Sequence, residues 1–184
     1  MHVAMVTDFY WPLLGGVEQH VRTVAHELAR RGHRVTVITT QTGESPEREL
    51  DGAVDVRRIR TGVQRLPVFD QQRPWAPPIP DPVATWQIRR LVRDLRPDVV
   101  HGHDWLARSA LLADRGVPFV STQHYYTLTC AKKNLLRDGR PCPGPEPAAC
   151  WRCARAHYGT AKGAVTLAGT ALGARLERRR ASTQ

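Results

Sequence analysis

Between His2 and Thr40 the chain runs MHVAMVTDFYWPLLGGVEQHVRTVAHELARRGHRVTVITT, an order of features that few folds accept. Val3 to Val6 is a short apolar run, and Val35 to Ile38 is another, rich in β-branched residues, so both read as strands. Between them Val17, Val21, Val24, Ala25 and Leu28 recur at helical spacing and make one apolar stripe. Gly32, after Arg30 and Arg31, ends that helix, with cations at its carbonyl end and a residue free to turn left-handed. Strand, helix and strand within about 40 residues form a βαβ unit, whose two strands run parallel. Gly15-Gly16 then falls in the first strand-to-helix loop, where open α/β sheets bind ligands. Without side chains, this pair leaves backbone N–H groups accessible at a helix N-terminus, which suits a phosphate; a plain tight turn is the competing reading.

The same alternation continues. Residues 41–53 are polar with Gly and Pro and read as a loop, and Val54 to Ile59 as a third strand at the sheet edge. Residues 64–82 are too rich in proline for regular structure, with Phe69 and Trp75 as anchors for a surface loop. Asp81 caps a helix to Leu95, with Val83, Trp86, Ile88, Leu91, Val92 and Leu95 on its buried side. Asp98 to His101, Trp105 to Arg115 and Val117 to Thr122 add strand, helix and strand. The expectation is an α/β fold, a Rossmann-like doubly wound parallel sheet.

Two of these strands end in polar groups that would open on the glycine turn: His101-Gly102-His103-Asp104 and Gln123-His124. His101 reads as a hydrogen-bonded packing residue. Two histidines two apart are a thin basis for a metal site. Asp8 ends the first strand, and Glu18 lies on the first helical turn, where it would complement the helix dipole. His20 follows on the same early turn and reads as a solvated helix-face residue. Tyr10 and Trp11 would either stack on a ligand or cover the core. The candidate ligand-binding groups are Asp8, Tyr10, Glu18 and His103.

Charge is uneven along the chain. Residues 1–129 carry 16 Lys/Arg and 14 Asp/Glu, a net +2; residues 130–184 carry 11 and 3, a net +8. A nearly neutral body with a basic tail argues against nucleic acid as the partner of the sheet. No apolar run is long enough to cross a bilayer, and the chain opens on a strand rather than a signal peptide, so a cytoplasmic location is expected.

As a whole, the opening M-V-T-D-F-Y-W-P, the G-G-V-E-Q-H turn and the R-G-H-R-V-T-V-I-T-T helix end and strand resemble the large retaining glycosyltransferase family 4 of GT-B fold. The resemblance covers residues 1–129 and implies the N-terminal, acceptor-side domain of a transferase that uses a nucleotide-sugar donor. It places Gly15 and Gly16 near the donor phosphates and makes Asp8, Tyr10, Glu18 and His103 the candidate acceptor-binding groups. It gives His124 the role of the histidine beside the acceptor hydroxyl and the transferred sugar's reaction centre. A front-face, oxocarbenium-like step needs positioning rather than a protein nucleophile, and no catalytic cofactor. It also calls for a C-terminal nucleotide-binding domain with paired glutamates, which these 184 residues do not include; this half alone is expected to be inactive. The alternatives are a non-catalytic sugar- or phosphate-binding module and a zinc-stapled interaction protein.

Cys130, Cys142, Cys150 and Cys153 form C-x11-C-x7-C-x2-C in an insert at 130–153, whose glycines and prolines argue against helix or sheet. Four thiolates suit a structural zinc; free thiols, a redox pair and an iron–sulfur cluster are the other readings. Residues 154–184 read as a basic helix and tail with an apolar side of Ala164, Leu167, Ala168, Ala171, Leu172 and Leu176. Such a helix suits an anionic membrane surface, with a solvated helix end as the plain alternative.

Overall fold

Short β-branched runs alternating with amphipathic stripes produce, in a computed structural model that describes residues 1–62, 78–113 and 116–181, a mainly parallel sheet flanked by helices. The chain divides into two compact units, Met1–Ala76 with Pro80–Thr122, and Pro77–Ile79 with Gln123–Gln184. The first contains β1 (His2–Val6), α1 (Gly16–Arg30), β2 (Arg34–Thr40), β3 (Arg48–Asp51), β4 (Val54–Ile59), α2 (Pro82–Leu95), β5 (Val99–His103), α3 (Leu106–Ala113) and β6 (Phe119–Thr122). Strand order is β3-β4-β2-β1-β5-β6. Every pairing is parallel except that of β3 with β4.

β1 is buried along its whole length, because its alternate residues enter two cores. Val3 and Met5 pack with Val17, Val21 and Ala25 of α1, whereas Ala4 and Val6 pack with Ile88, Leu106 and Ala110 of α2 and α3. A strand covered on both faces is what a doubly wound sheet demands, and it explains why the run contains no polar alternation. Gly102 allows the second core to close. A Cβ there would lie 2.7 Å from Ala107 Cβ and 2.8 Å from Phe119 Cζ, so α3 approaches β5 only over a bare backbone.

Three expectations are corrected. Residues 41–53 are not all loop, since Arg48–Asp51 forms β3 and pairs antiparallel with β4 through a two-residue turn at Gly52 (φ 62°). β4 is therefore internal, and the charged β3 guards the edge. Trp86 is 61% exposed, with the Arg90 guanidinium carbon 5.8 Å from its ring centre. Ala84, Ile88 and Val92, four apart, set the buried face of α2, and position 86 lies nearly opposite it. Asp81 does cap this helix, accepting from Ala84 N–H at 2.9 Å. Residues 63–77, including Phe69 and Trp75, and residues 114–115 lie outside the described residues.

The third correction concerns the second unit. The cysteine segment contains a two-stranded hairpin, β7 (Leu136–Arg137) with β8 (Arg140–Pro141), and a helix, α4 (Pro147–Tyr158), that starts on a proline. Proline at a first helical position costs no hydrogen bond, so the breakers frame these elements instead of forbidding them. α5 (Thr160–Ala181) follows after Gly159 (φ 79°). Its buried side is Gly163, Thr166, Gly169, Thr170, Gly173 and Ala174, while Ala164, Ala168, Ala171 and Leu172 of the expected apolar stripe are exposed. A Cβ on Gly163 would meet Ala154 O at 2.9 Å, so backbone contact with α4 selects the small face.

Asp51 ties the new edge to α1. Its carboxylate accepts from Arg22 Nε at 2.7 Å and Nη2 at 2.9 Å and from Tyr10 Oη at 3.0 Å, with His26 Nε2 at 3.0 Å. These bonds, that from Arg22 foremost, hold the carboxyl well below the usual range. A depressed carboxylate stabilises the fold above its unfolded value of about 4, and the benefit is lost as pH falls through and below that value. Asp51→Asn is expected to cost about 1–2 kcal/mol at pH 7, at the low end because Arg22 is partly solvated, and to flatten the acid side of the stability–pH curve; urea unfolding at several pH values measures both. Gly102→Ala is expected to cost about 1–3 kcal/mol in the same assay, since the clash is with packed core atoms.

Candidate functional site

All five parallel strands point their carboxyl ends to one rim, and the order of connection reverses between β1 and β5. Successive crossovers carry the chain outward from β1 through β2 to β4 and then back to β5. Ligands in open sheets bind outside such a switch point. The loops leaving β1 and β5 therefore frame the candidate site, and both contain residues singled out above.

Asp8 leaves β1 almost wholly buried at 4% exposure. Its Oδ1 accepts from Leu106 N–H at 2.5 Å, at the start of α3, and its carbonyl accepts from Thr39 Oγ1 at 3.3 Å and from Thr40 Oγ1. Asp8 thus joins the ends of β1 and β2 to the loop after β5. Thr39 and Thr40, which the sequence did not single out, hold the start of the loop after β1 from β2.

Gly15 is the N-cap of α1 and offers no side-chain cap, so the first-turn N–H groups point into the loop. Its backbone is extended (φ −157°), which any residue adopts; what glycine contributes here is space. The Glu18 carboxylate folds over Gly15, and a Cβ there would collide with Glu18 Oε2. Around Gly16 nothing lies within 4 Å of an added Cβ. The glycine pair and the Glu18 carboxylate are thereby brought together at a helix N-terminus, with a partial positive charge of about half a unit, that is open on the Gly16 side.

On the other side of the switch point, His103 ends β5 with no exposure. Its ring centre is 4.1 Å from that of His101 and 6.2 Å from that of His20 on α1. His101 is held through Nε2 to Thr122 Oγ1 at 2.8 Å, which agrees with a packing role. His20 is exposed, but its ring stands edge-on to His103, so the early turn of α1 and the end of β5 meet through imidazoles. Asp104 follows in the left-handed region (φ 54°), a conformation tolerated by aspartate and concentrated at functional loops. Among the described residues, no three His, Cys, Asp or Glu side chains converge to hold a metal ion.

Tyr10 is placed in the core. It is 3% exposed, packs with Val17 and Val21, and its phenol, bonded to Asp51, is pushed up by burial and then by that carboxylate. Trp11 is 39% exposed, with Arg22 4.5 Å from its ring centre. Its carbonyl accepts from Arg58 Nη2 at 2.8 Å, and the same nitrogen reaches Glu49 Oε1 at 2.5 Å. Arg58 and Asp51, on β4 and β3, thus position the loop that leads to Gly15. Both escaped sequence reading because their hairpin did; the Asp51-Gly52 dipeptide was the available signal. His124 belongs to the second unit, half-buried and two residues past β6.

The model of Glycosyltransferase Family 4 matches residues 14–165. GDP-mannose-dependent alpha-mannosyltransferase of Mycobacterium tuberculosis is 32% identical over 117 residues, covering 64% of this chain and 28% of that protein. D-inositol 3-phosphate glycosyltransferase of Rhodococcus jostii (strain RHA1) is 32% identical over 145 residues, covering 73% and 29%. The chain therefore spans under a third of the length of these relatives. Sucrose-phosphate synthase from Thermosynechococcus elongatus has a similar fold, with a TM-score of 0.55 at 15% identity over 84% of this chain and 39% of that one. With the family match extending over most of its length, from the glycine turn through the cysteine segment, the chain belongs to Glycosyltransferase Family 4 and has the fold of a GT-B N-terminal domain.

Proposed function

We propose that this chain is the acceptor-side domain of a retaining glycosyltransferase, which moves a sugar from a nucleotide-sugar donor to an acceptor hydroxyl. The observation that carries the reading is the uncapped start of α1 behind Gly15-Gly16, at the carboxyl rim beside the switch point. Such a terminus favours a diphosphate through directed N–H groups and the helix dipole. The names of the two relatives, both glycosyl-transferring enzymes, support the reaction class. A second, nucleotide-binding domain would complete the donor site.

In this reading the bond from the anomeric carbon to the diphosphate oxygen breaks as the acceptor oxygen attacks from the same face. The departing phosphate takes the acceptor proton, so configuration is kept and no protein nucleophile is required. The N–H groups of the glycine turn oppose the charge that develops on the diphosphate. Glu18 lies over the same turn and contacts the acceptor or the loop. Asp8 fixes the rim through Leu106, and His103 lines its β5 side. His124 is assigned to the reaction centre on the family's pattern, and no metal takes part in the step. A cytoplasmic site of action, at the inner membrane face, belongs to the same proposal; Arg152, Arg155, Arg175 and Arg178 are exposed cations for it, and no helix among the described residues is long and apolar enough to cross a membrane.

Amide NMR tests the phosphate site. Inorganic pyrophosphate and a nucleoside diphosphate are expected to shift the Gly15–Glu18 amides. Gly16→Val is expected to weaken binding at least about tenfold, a loss of about 1.4 kcal/mol, while the fold is kept because no protein atom opposes its Cβ. Unmoved amides at 15–18, or unchanged affinity in the variant, would remove the donor role. Flotation with anionic liposomes at low and high salt checks the membrane assignment: the chain is expected to float at low salt and to be released at high salt.

A further inference from the structure

The hairpin and helix of the second unit have almost no core of their own. Between residues 123 and 159 the buried apolar side chains are Ala131, Ala149 and Ala154. Three alanines bury too little surface to fix a two-plus-two-residue hairpin against a helix. Chains in this position rely on a cross-link or a metal, and this one sets four cysteines around one pocket. Cys130, Cys142, Cys150 and Cys153 all line it, together with Lys132 and Arg137.

The four come from three separate elements. Cys130 stands in the turn after Tyr126, where its N–H donates to the Tyr126 carbonyl at 2.8 Å. Cys142 directly follows β8, its N–H bonded to Leu135 O at 2.7 Å, so the hairpin presents it. Cys150 and Cys153 are one helical turn apart in α4, on one face. All four are reduced and half-buried. Their thiols line the wall without yet meeting at one point, so ligation requires side-chain rotation inward. The surroundings suit thiolates. Arg137 Nη2 is 3.7 Å from Cys142 Sγ, and Arg137 Nε is buried without a hydrogen-bond partner among the described residues. Arg137 Nη1 also lies 3.5 Å from Glu146 Oε2, so what the guanidinium offers a metal(II)–tetrathiolate is chiefly its unused N–H, as outer-shell donors do.

We infer that Cys130, Cys142, Cys150 and Cys153 form a structural zinc site that holds the β7–β8 hairpin to α4. The ion takes four thiolates and releases their protons, leaving no open position for substrate, so its role is to fold this unit rather than to catalyse. The inference does not depend on the transferase reading.

Metal analysis and cobalt substitution of the whole chain test it. Protein purified under reduction without chelator is expected to hold one zinc per chain. The metal-free chain titrated with cobalt(II) is expected to saturate at one equivalent, with the thiolate charge-transfer and intense visible bands of a tetrahedral tetrathiolate. Cys142→Ser and Cys153→Ser are expected each to abolish the stoichiometric ion, and Arg137→Met to weaken cobalt binding while stoichiometry is kept. The cobalt titration on the unaltered chain stands even if a cysteine variant fails to fold. Purified chain without metal whose cobalt spectrum stays octahedral, a Cys150–Cys153 disulfide as the resident form, or iron in place of zinc would each overturn the inference.

Discussion

Parallel pairing of β1 on both of its edges, with both of its faces buried, is the constraint from which the rest of the first unit follows. A parallel neighbour cannot be reached by a tight turn, so each pairing requires a crossover segment, and the crossovers cover the two faces. Because the strands share a direction, their exits share a rim. The glycine turn after β1 and the histidine run at the end of β5 meet there, although some 90 residues separate them. Gly102 lets α3 close over β5, and Asp8, just past β1, accepts from Leu106 N–H at the start of α3.

The edge hairpin has a subtler part. Two charged residues on it, Asp51 and Arg58, reach under the loop that carries Tyr10 and Trp11 toward the glycine turn. Hydrogen bonds to charged, partly buried groups are stronger than neutral ones and more directional than apolar contact. They suit the task of fixing the loop that leads to the glycine turn. Tyr10, which as a residue type suggested a sugar wall, serves this bracing from inside the core.

The second unit is built on a different basis. Its helices approach through Gly163 and Ala154, and its buried side chains are mostly alanine, threonine and glycine. Close backbone packing of this kind gains dispersion contacts but little apolar burial. The four cysteines around one cavity are the feature that makes up the deficit, and their joint presence there gives the hairpin and α4 a reason to stay together.

Hydrophobic period, glycine position and capping chemistry were enough to read the βαβ opening, the doubly wound class, the Asp81 cap and the loop that holds Gly15-Gly16. These are local signals, decided within one turn of helix or one strand. The β3–β4 pairing, the outward face of Trp86 and the small-residue face of α5 were not legible, because each depends on which neighbour arrives. A charged strand such as RELD has no periodic apolar signature until β4 supplies its partner, and an apolar stripe on α5 yields to glycine once backbones touch. The chain alone settled that Gly15-Gly16 would stand in a strand-to-helix turn. Tertiary structure decided that Asp8 would be bonded to Thr40 and Leu106, since hydrogen bonds across such sequence distances exist only after the strands have chosen their order.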